Sequence, residues 1–432
     1  PWPAFFFPTA AQPLGGLTGK IAPDPGRPGL GSRELQSRRN MTMDRSSQRR
    51  SLGLGFVAMM IMAFVVPLAA HGQGTAPFKI GVLASLTGSV ADVNAGQING
   101  LKLRLKQVGY QIAGRKVELV IEDDAGDPNT GLSKAQKLIE RDRVDLVIGP
   151  FLGHVMAATQ DYFGRKGVPV LPLVGQTPEN VKPANILVPS WNSAQLGRMM
   201  GEFAAAKLGY KNAVIVSSKY SFGTRVSEGF RSGFAAGGGT VRKEVYVPLG
   251  TVDWAPFVGG LPEGTAIFSA VPGADAIKLV KTRHEFGQRD SMPLLAPIST
   301  VDGMLLPAMG EAAVGTVAVT HYFEDLDIPE NTRFVEDYRR EYGKPPAGYY
   351  EALGYTIVQI VEAALKATGG RSDPATLLPA MKSVDIRTPQ GRLRFDPAKR
   401  YPYLDYYFVK VVAKGGKPAY QILDVARNVR PD

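Results

Sequence analysis

The sequence predicts an α/β protein built on two mostly parallel sheets. Three observations predict it. From residue 77 onward, short β-branched apolar runs alternate with amphipathic stretches of helical period. The same alternation restarts at residue 213, so the unit occurs twice. And 432 residues are more than one hydrophobic core usually holds.

The first series opens with the strand KIGVLAS (79–85) and a helix near 94–109. VELVIED (117–123) leads to a helix near 128–142, where Asp127-Pro128 offers an N-cap acceptor followed by proline at the first helical position. The run at 144–149 breaks at Gly149-Pro150, passes Gly153-His154 and enters a helix near 154–166; VPVLPL (168–173) follows. The second series contains AVIVSS (213–218), a helix near 222–236, TVRKEVYV (240–247), AIFSAV (266–271), a helix near 273–286, PLLAPIS (293–299) and TVAVTHYF (316–323). Strong helical patterns cover 329–342 and 347–368, the latter ended by Gly369-Gly370, and Asp373-Pro374 opens another helix. The chain closes on two strands within 406–423, a hairpin around Gly415-Gly416.

The N-terminal part reads differently. Residues 1–40 are rich in proline and glycine without periodicity, and are expected to be upstream sequence translated from an early start, with Met41 or Met43 the expected initiator. Residues 41–72 have the plan of a cleavable signal peptide: Arg45, Arg49 and Arg50, then the apolar stretch Leu52 to Ala70, then small residues at Ala70-His71-Gly72. The expected product is a periplasmic protein beginning near Gln73. Beyond residue 72 there are 42 basic against 36 acidic residues, spread evenly, which gives no nucleic-acid signature. The absence of cysteine excludes disulfides, thiolate metal sites, a cysteine nucleophile and a lipid-modified cysteine.

Open α/β sheets bind ligands at the carboxyl ends of their strands. The strand-end loops here are rich in Gly, Ser, Thr and aromatics and poor in paired catalytic groups. With three histidines after residue 72 (His154, His284, His321) and no G-x-S-x-G, no nucleophile and base pair is visible. Asp123, Asp124 and Asp127 read as strand-end and helix-cap acidity, so no metal and no cofactor is expected. The helix start at Gly153, His154 and Val155 can receive an anion through its N–H groups. Gln176 and Thr177 offer side-chain donors, and Trp191, Tyr220, Phe222 and Tyr322 an aromatic wall; Val93 and Gly175 complete the predicted site.

The stretches FKIGVLASLTGSVADVNAGQINGLKL, VELVIEDDAGDPNTGLSKAQKLI and VDLVIGPFLGHVMAA resemble the solute-binding proteins of branched-chain amino acid ABC transporters, the type I periplasmic binding proteins. GEAAVGTVAVTHYF (310–323) and the segment 334–365 are similar to later family segments, so the resemblance covers 77–425. It implies two lobes joined by three crossings, near 188–192, 319–323 and 395–404. Residues 77–190 with 323–396 would form the first lobe, and 191–322 with 397–432 the second. It implies a monomer without catalysis that closes on a small-molecule ligand and serves an inner-membrane ABC permease. In amino acid-binding members a hydroxyl residue after the third strand meets the ligand's α-carboxylate, and an acid in the second lobe meets its ammonium. Here those places read Leu152-Gly153-His154 and Ile298. An ammonium buried without its partner is costly, so the expected ligand is a carboxylate with an apolar or aromatic body. A branched-chain or other amino acid receptor and a sensor for a signalling partner are the alternatives within the same fold.

Overall fold

Strand β1 (Phe78–Ala84) is buried along almost its whole length, as a parallel strand covered by helices on both faces must be. The computed structural model describes residues 76–432; the expected upstream stretch and signal peptide lie outside the described residues. β1 is the middle strand of a five-stranded sheet. β2 (Gln111–Ile112) forms an antiparallel edge on β3 (Arg115–Asp123), while β3 and β4 (Leu146–Ile148) flank β1 in parallel and β5 (Val170–Leu171) lies beyond β4.

Helices α1 (Ala91–Gln107), α2 (Pro128–Gln136) and α3 (Gly153–Lys166) connect these strands. α1 begins three residues earlier than its sequence pattern suggests. Asp127 caps α2 as its sequence predicts, its carboxylate accepting from the Thr130 N–H at 2.8 Å with Pro128 at the first helical position. The turn after β4 depends on Gly149, which has φ +117° and approaches Leu83 so closely that a Cβ would lie 1.9 Å from its carbonyl oxygen.

The chain then passes through α4 (Ser193–Ala206) into a second sheet of β6 (Asn212–Ser218), β7 (Thr240–Val247), β8 (Ala266–Phe268), β9 (Leu294–Pro297) and β10 (Val317–Thr320). These run parallel in the order β10-β9-β8-β6-β7. α5 (Ser221–Ala236), the short α6 (Ala255–Val258), α7 (Gly273–Glu285) and the single-turn α8 (Gln288–Ser291) and α9 (Leu306–Met309) connect them. α4 is absent from the elements the sequence predicts. Its polar stripe is narrow, Arg198 paired with Glu202 one turn on, and the rest of its circumference is buried; it lies between the second sheet and α5.

After β10 the chain returns to the first sheet. α11 (Tyr349–Ala367) packs along α1, with α10 (Pro329–Tyr342) and α12 (Pro374–Lys382) beside them. A hairpin of β11 (Asp385–Thr388) and β12 (Gly391–Phe395), also absent from the sequence reading, packs against α10 and α11 and joins β13 (Pro402–Lys414) through two residue pairs. Its strands are short and heavily charged, which hides them. β13 runs antiparallel to β10 and forms the closing hairpin with β14 (Lys417–Val429). The second sheet therefore orders as β11-β12-β13-β10-β9-β8-β6-β7 with β14 on β13. The molecule is two lobes, each a mostly parallel sheet flanked by helices. No described helix is long and apolar enough to cross a membrane.

Candidate functional site

The parallel strands of both sheets end toward one cleft. Loops after β4 and β5 supply Phe151 to Gly153 and Val174 to Thr177; loops after β6, β8 and β9 supply Tyr220 to Phe222, Pro272 and Ser299. Trp191, at the first crossing between the sheets, and Tyr350, at the start of α11, complete the wall. The cavity left between these walls is small, about 30 Å³, so the lobes stand close together. Gly153 of α3 faces Ser221 of α5 across the cleft, and a Cβ on Gly153 would lie 2.5 Å from the Ser221 Oγ.

Among the described residues no charged side chain lines this cleft. Its positive potential comes from the backbone, while burial and the nearby carboxylate of Asp275, in the first turn of α7, together push the Tyr220 phenol up. α3, α5 and α7 all begin here, with Leu152, Tyr220 and Pro272 as N-caps, each in extended backbone and none making a side-chain capping bond. A helix start without a cap leaves N–H groups free to bind an acceptor, at the positive end of the helix dipole. Two of these starts come from the second lobe and one from the first, so an anion between them would be held from both sides.

The neutral polar groups are partly organised. Gln176 donates its amide to the Phe151 carbonyl at 3.1 Å, and the Tyr401 hydroxyl donates to the Gln176 carbonyl at 3.1 Å. The Asn180 amide approaches Gln176 Oε1 at 3.5 Å. By contrast Ser221 Oγ, Ser299 Oγ and Trp191 Nε1 are buried without a protein partner. Buried polar atoms are nearly always paired, so these three mark where a ligand or a water would complete the site. Aromatic rings fill the rest: Phe151 meets Tyr350 at 5.7 Å and Tyr220 meets Phe222 at 6.0 Å between centroids.

Behind the wall the crossings meet in an aromatic box. His321, just after β10, is 4.7 Å from Trp191 and 4.6 Å from Tyr349 between ring centroids, and Tyr406 of β13 closes the box at 6.5 Å. Both His321 ring nitrogens lack partners, and burial pushes its pKa down to about 3, so the ring is neutral. The Tyr349 hydroxyl shares a 2.7 Å hydrogen bond with Ser190 Oγ, which ties α11 to the first crossing. Beside the box, burial holds the carboxyls of Asp302 and Glu351 above the usual range and raises Glu324 to about 7.

Of the residues predicted from sequence, Gly153, Gly175, Gln176, Thr177, Trp191, Tyr220 and Phe222 are together on the cleft wall. Five are not. Val93 and Ile298 belong to the hydrophobic core, and Val155 is buried against Gly131. The His154 imidazole turns away to the Gly126 carbonyl, with its Nε2 at 2.9 Å, so the donor that position supplies to the helix start is its backbone N–H alone. Tyr322 is fully buried and donates its hydroxyl to Asn331 Oδ1 at 2.9 Å. Asp123 and Asp127 fold their own loop: Asp123 accepts from the Leu86 and Ala125 N–H groups, and Asp127 caps α2. Among the described residues no group of three His, Cys, Asp or Glu could hold a metal ion. Sequence reasoning missed Asn180, Ser221 and Ser299, although all three follow strand ends and that position was the available signal. It also missed Phe151 and Tyr350. Tyr350 reaches the cleft from a helix far along the chain, which no local pattern reveals.

The family model described as periplasmic binding protein matches residues 77–417. The Leu/Ile/Val-binding protein homolog 6 of Brucella melitensis is 27% identical over 371 residues, covering 84% of this chain and 94% of the relative. A solute-binding protein of an ABC transporter from Rhodopseudomonas palustris BisB5, solved in complex with 3,4-dihydroxybenzoic acid, superposes with a TM-score of 0.76 at 30% identity, covering 82% of this chain and 98% of that one. Another from R. palustris, solved in complex with benzoate, gives 0.75 at 27% identity over 82% and 98%.

Proposed function

The chain belongs to the periplasmic binding protein family, and from that premise we propose that it captures a small aromatic carboxylate in the cleft and delivers it to an ABC permease of the inner membrane. The fold is the two-lobed type I form, and membership of the family implies a periplasmic location. The observation that carries the ligand class is the convergence of three uncapped helix starts on an aromatic cleft without charged side chains. Those starts favour an anion. No carboxylate on the wall offers a partner for an ammonium, which counts against an α-amino acid. The bound acids named for the two R. palustris relatives agree with this reading.

The curated relative's name points instead to leucine, isoleucine and valine. Titration calorimetry of the purified protein with benzoate, cyclohexane carboxylate and leucine separates the two readings. The expected outcome is saturable binding of benzoate and no heat from leucine. Tight leucine binding without a response to either acid would overturn the ligand assignment and leave the family and fold standing.

A further inference from the structure

We infer that Arg225 and Glu179 form a latch that holds the lobes shut over the cargo and sets how fast the cargo leaves. This rests on the receptor reading above but not on the choice of ligand, since the pair stands outside the cleft wall. The Arg225 guanidinium lies 3.2 Å from the Glu179 carboxylate. Arg225 belongs to α5 of the second lobe, and Glu179 to the single turn Pro178–Asn180 that follows β5 in the first. Among the described residues every other ion pair stays within one lobe or, as with Arg430 and Asp396, lies at a crossing. An ion pair inside one lobe is present whether the lobes are apart or together, so it cancels from the equilibrium between the two states. One that spans the cleft exists only in the closed state and favours it.

The pair continues the seam where the lobes touch. Arg225 lies one helical turn from Ser221 on the same face of α5. Ser221 meets Gly153 of the first lobe, and Asn180, next to Glu179, stands beside that glycine, its Nδ2 3.0 Å from where a Cβ would lie. Thr177 and Asn180 are buried, whereas the Arg225 and Glu179 side chains are 41% and 50% exposed. The seam therefore runs outward from Gly153 and ends at the charged pair.

Exposed ion pairs commonly contribute little, because two long side chains must be ordered and salt screens their attraction. Here both ends are held in advance. Arg225 Nη1 donates to Glu228 at 2.8 Å on its own helix, which leaves Nη2 to face Glu179. The Glu179 carbonyl accepts from the Gln160 amide of α3 at 2.9 Å, which pins the turn to the first lobe. Little side-chain freedom remains to be lost when the lobes meet. A planar guanidinium serves two carboxylates through separate nitrogens, a geometry that a lysine ammonium does not reproduce. With a cavity of only about 30 Å³ between the walls, cargo leaves when the lobes part and enters while they are apart. The latch therefore acts on release and not on capture.

The chain has no cysteine, so Tyr110→Cys in the first lobe and Val252→Cys in the second place a dye pair at two exposed positions for single-molecule energy transfer. Arg225→Gln and Glu179→Gln should each shorten the closed-state lifetime about two- to fivefold, with and without benzoate, and leave the closing rate unchanged. Stopped-flow release of benzoate should speed up by the same factor. The double variant should be no faster than either single one, and Arg225→Lys should fall between wild type and Arg225→Gln. In about 1 M sodium chloride, where charges are screened beyond ~3 Å, the wild type should approach the variants. Thermal unfolding of the ligand-free variants confirms their fold. Slower closing or slower capture of benzoate in Arg225→Gln, with release unchanged, would make Arg225 a steering charge and overturn the latch. Additive effects in the double variant, lifetimes equal to wild type, or a single fixed distance would overturn it too. Latch-dependent lifetimes that benzoate does not lengthen would remove the carboxylate reading and leave the latch standing.

Discussion

Gly153 and His154 are neighbours in sequence with opposite parts to play. Gly153 is where the lobes touch, and a methyl group there would collide with Ser221. Gly153→Ala should therefore weaken benzoate binding at least tenfold, about 1.4 kcal/mol, by holding the lobes apart. Trp191→Ala should cost at least as much through loss of a large apolar face. His154→Ala should change affinity by less than about twofold, a difference worth well under 1 kcal/mol, because its imidazole is spent on Gly126; calorimetry on the three variants checks the contrast. Glu324 offers a different test. It is mostly buried, and one carboxylate oxygen has no partner. Burial raises its pKa from 4.5 to about 7, so between those values the folded protein holds a proton that the unfolded chain releases. Stability is then lost as pH rises through that window. Glu324→Gln should be more stable than wild type above pH 7, by up to about 3 kcal/mol at about 1.4 kcal/mol per pH unit. The advantage should vanish below pH 4.5; urea unfolding at pH 7.5 and pH 4 measures it.

The helix pair α4 and α5 shows packing overruling propensity. Gly229 sits in the middle of α5, where alanine would normally stabilise a helix by about 1 kcal/mol. Here a Cβ would lie 1.9 Å from the Ala194 carbonyl oxygen of α4, and forced overpacking costs about 1–3 kcal/mol. Gly229→Ala should lower the urea midpoint, the opposite of the propensity expectation. Such a seam is invisible to periodicity, and so was α4 itself, whose polar stripe of Arg198 and Glu202 is narrow. The parallel strands were legible because burial on both faces demands continuous apolar runs such as KIGVLA. Helix starts at Asp127-Pro128 and Asp373-Pro374 were legible because capping chemistry is local. The cleft was legible only to the level of its loops. Which side chain in a loop turns inward is decided by partners far away in sequence, as Gly126 decides for His154. The charged strand β11 packs against α10 and α11, a contact that no local pattern announces.

At the scale of the whole molecule, the three connections between the lobes meet at the His321 box, and the cleft in front of it is nearly closed. We expect the ligand-free protein to spend much of its time more open than this, hinging at those connections. Small-angle scattering should then show a smaller radius of gyration on saturation with a bound acid, and Gly153→Ala should not contract. An unchanged profile with bound ligand would count against a hinge. The absence of charged side chains from the cleft wall has a last consequence. Backbone dipoles do not gain or lose protons, and burial holds the Tyr220 and Tyr350 phenols on the wall protonated well above neutrality. On the cleft wall itself, the ionisation left near and below neutral pH is that of the cargo. Affinity should stay flat while the acid is fully dissociated, and weaken tenfold per pH unit once the medium drops below the acid's own pKa. Calorimetry with two carboxylic acids of different strength should place the break at a different pH for each, following the acid and not the protein.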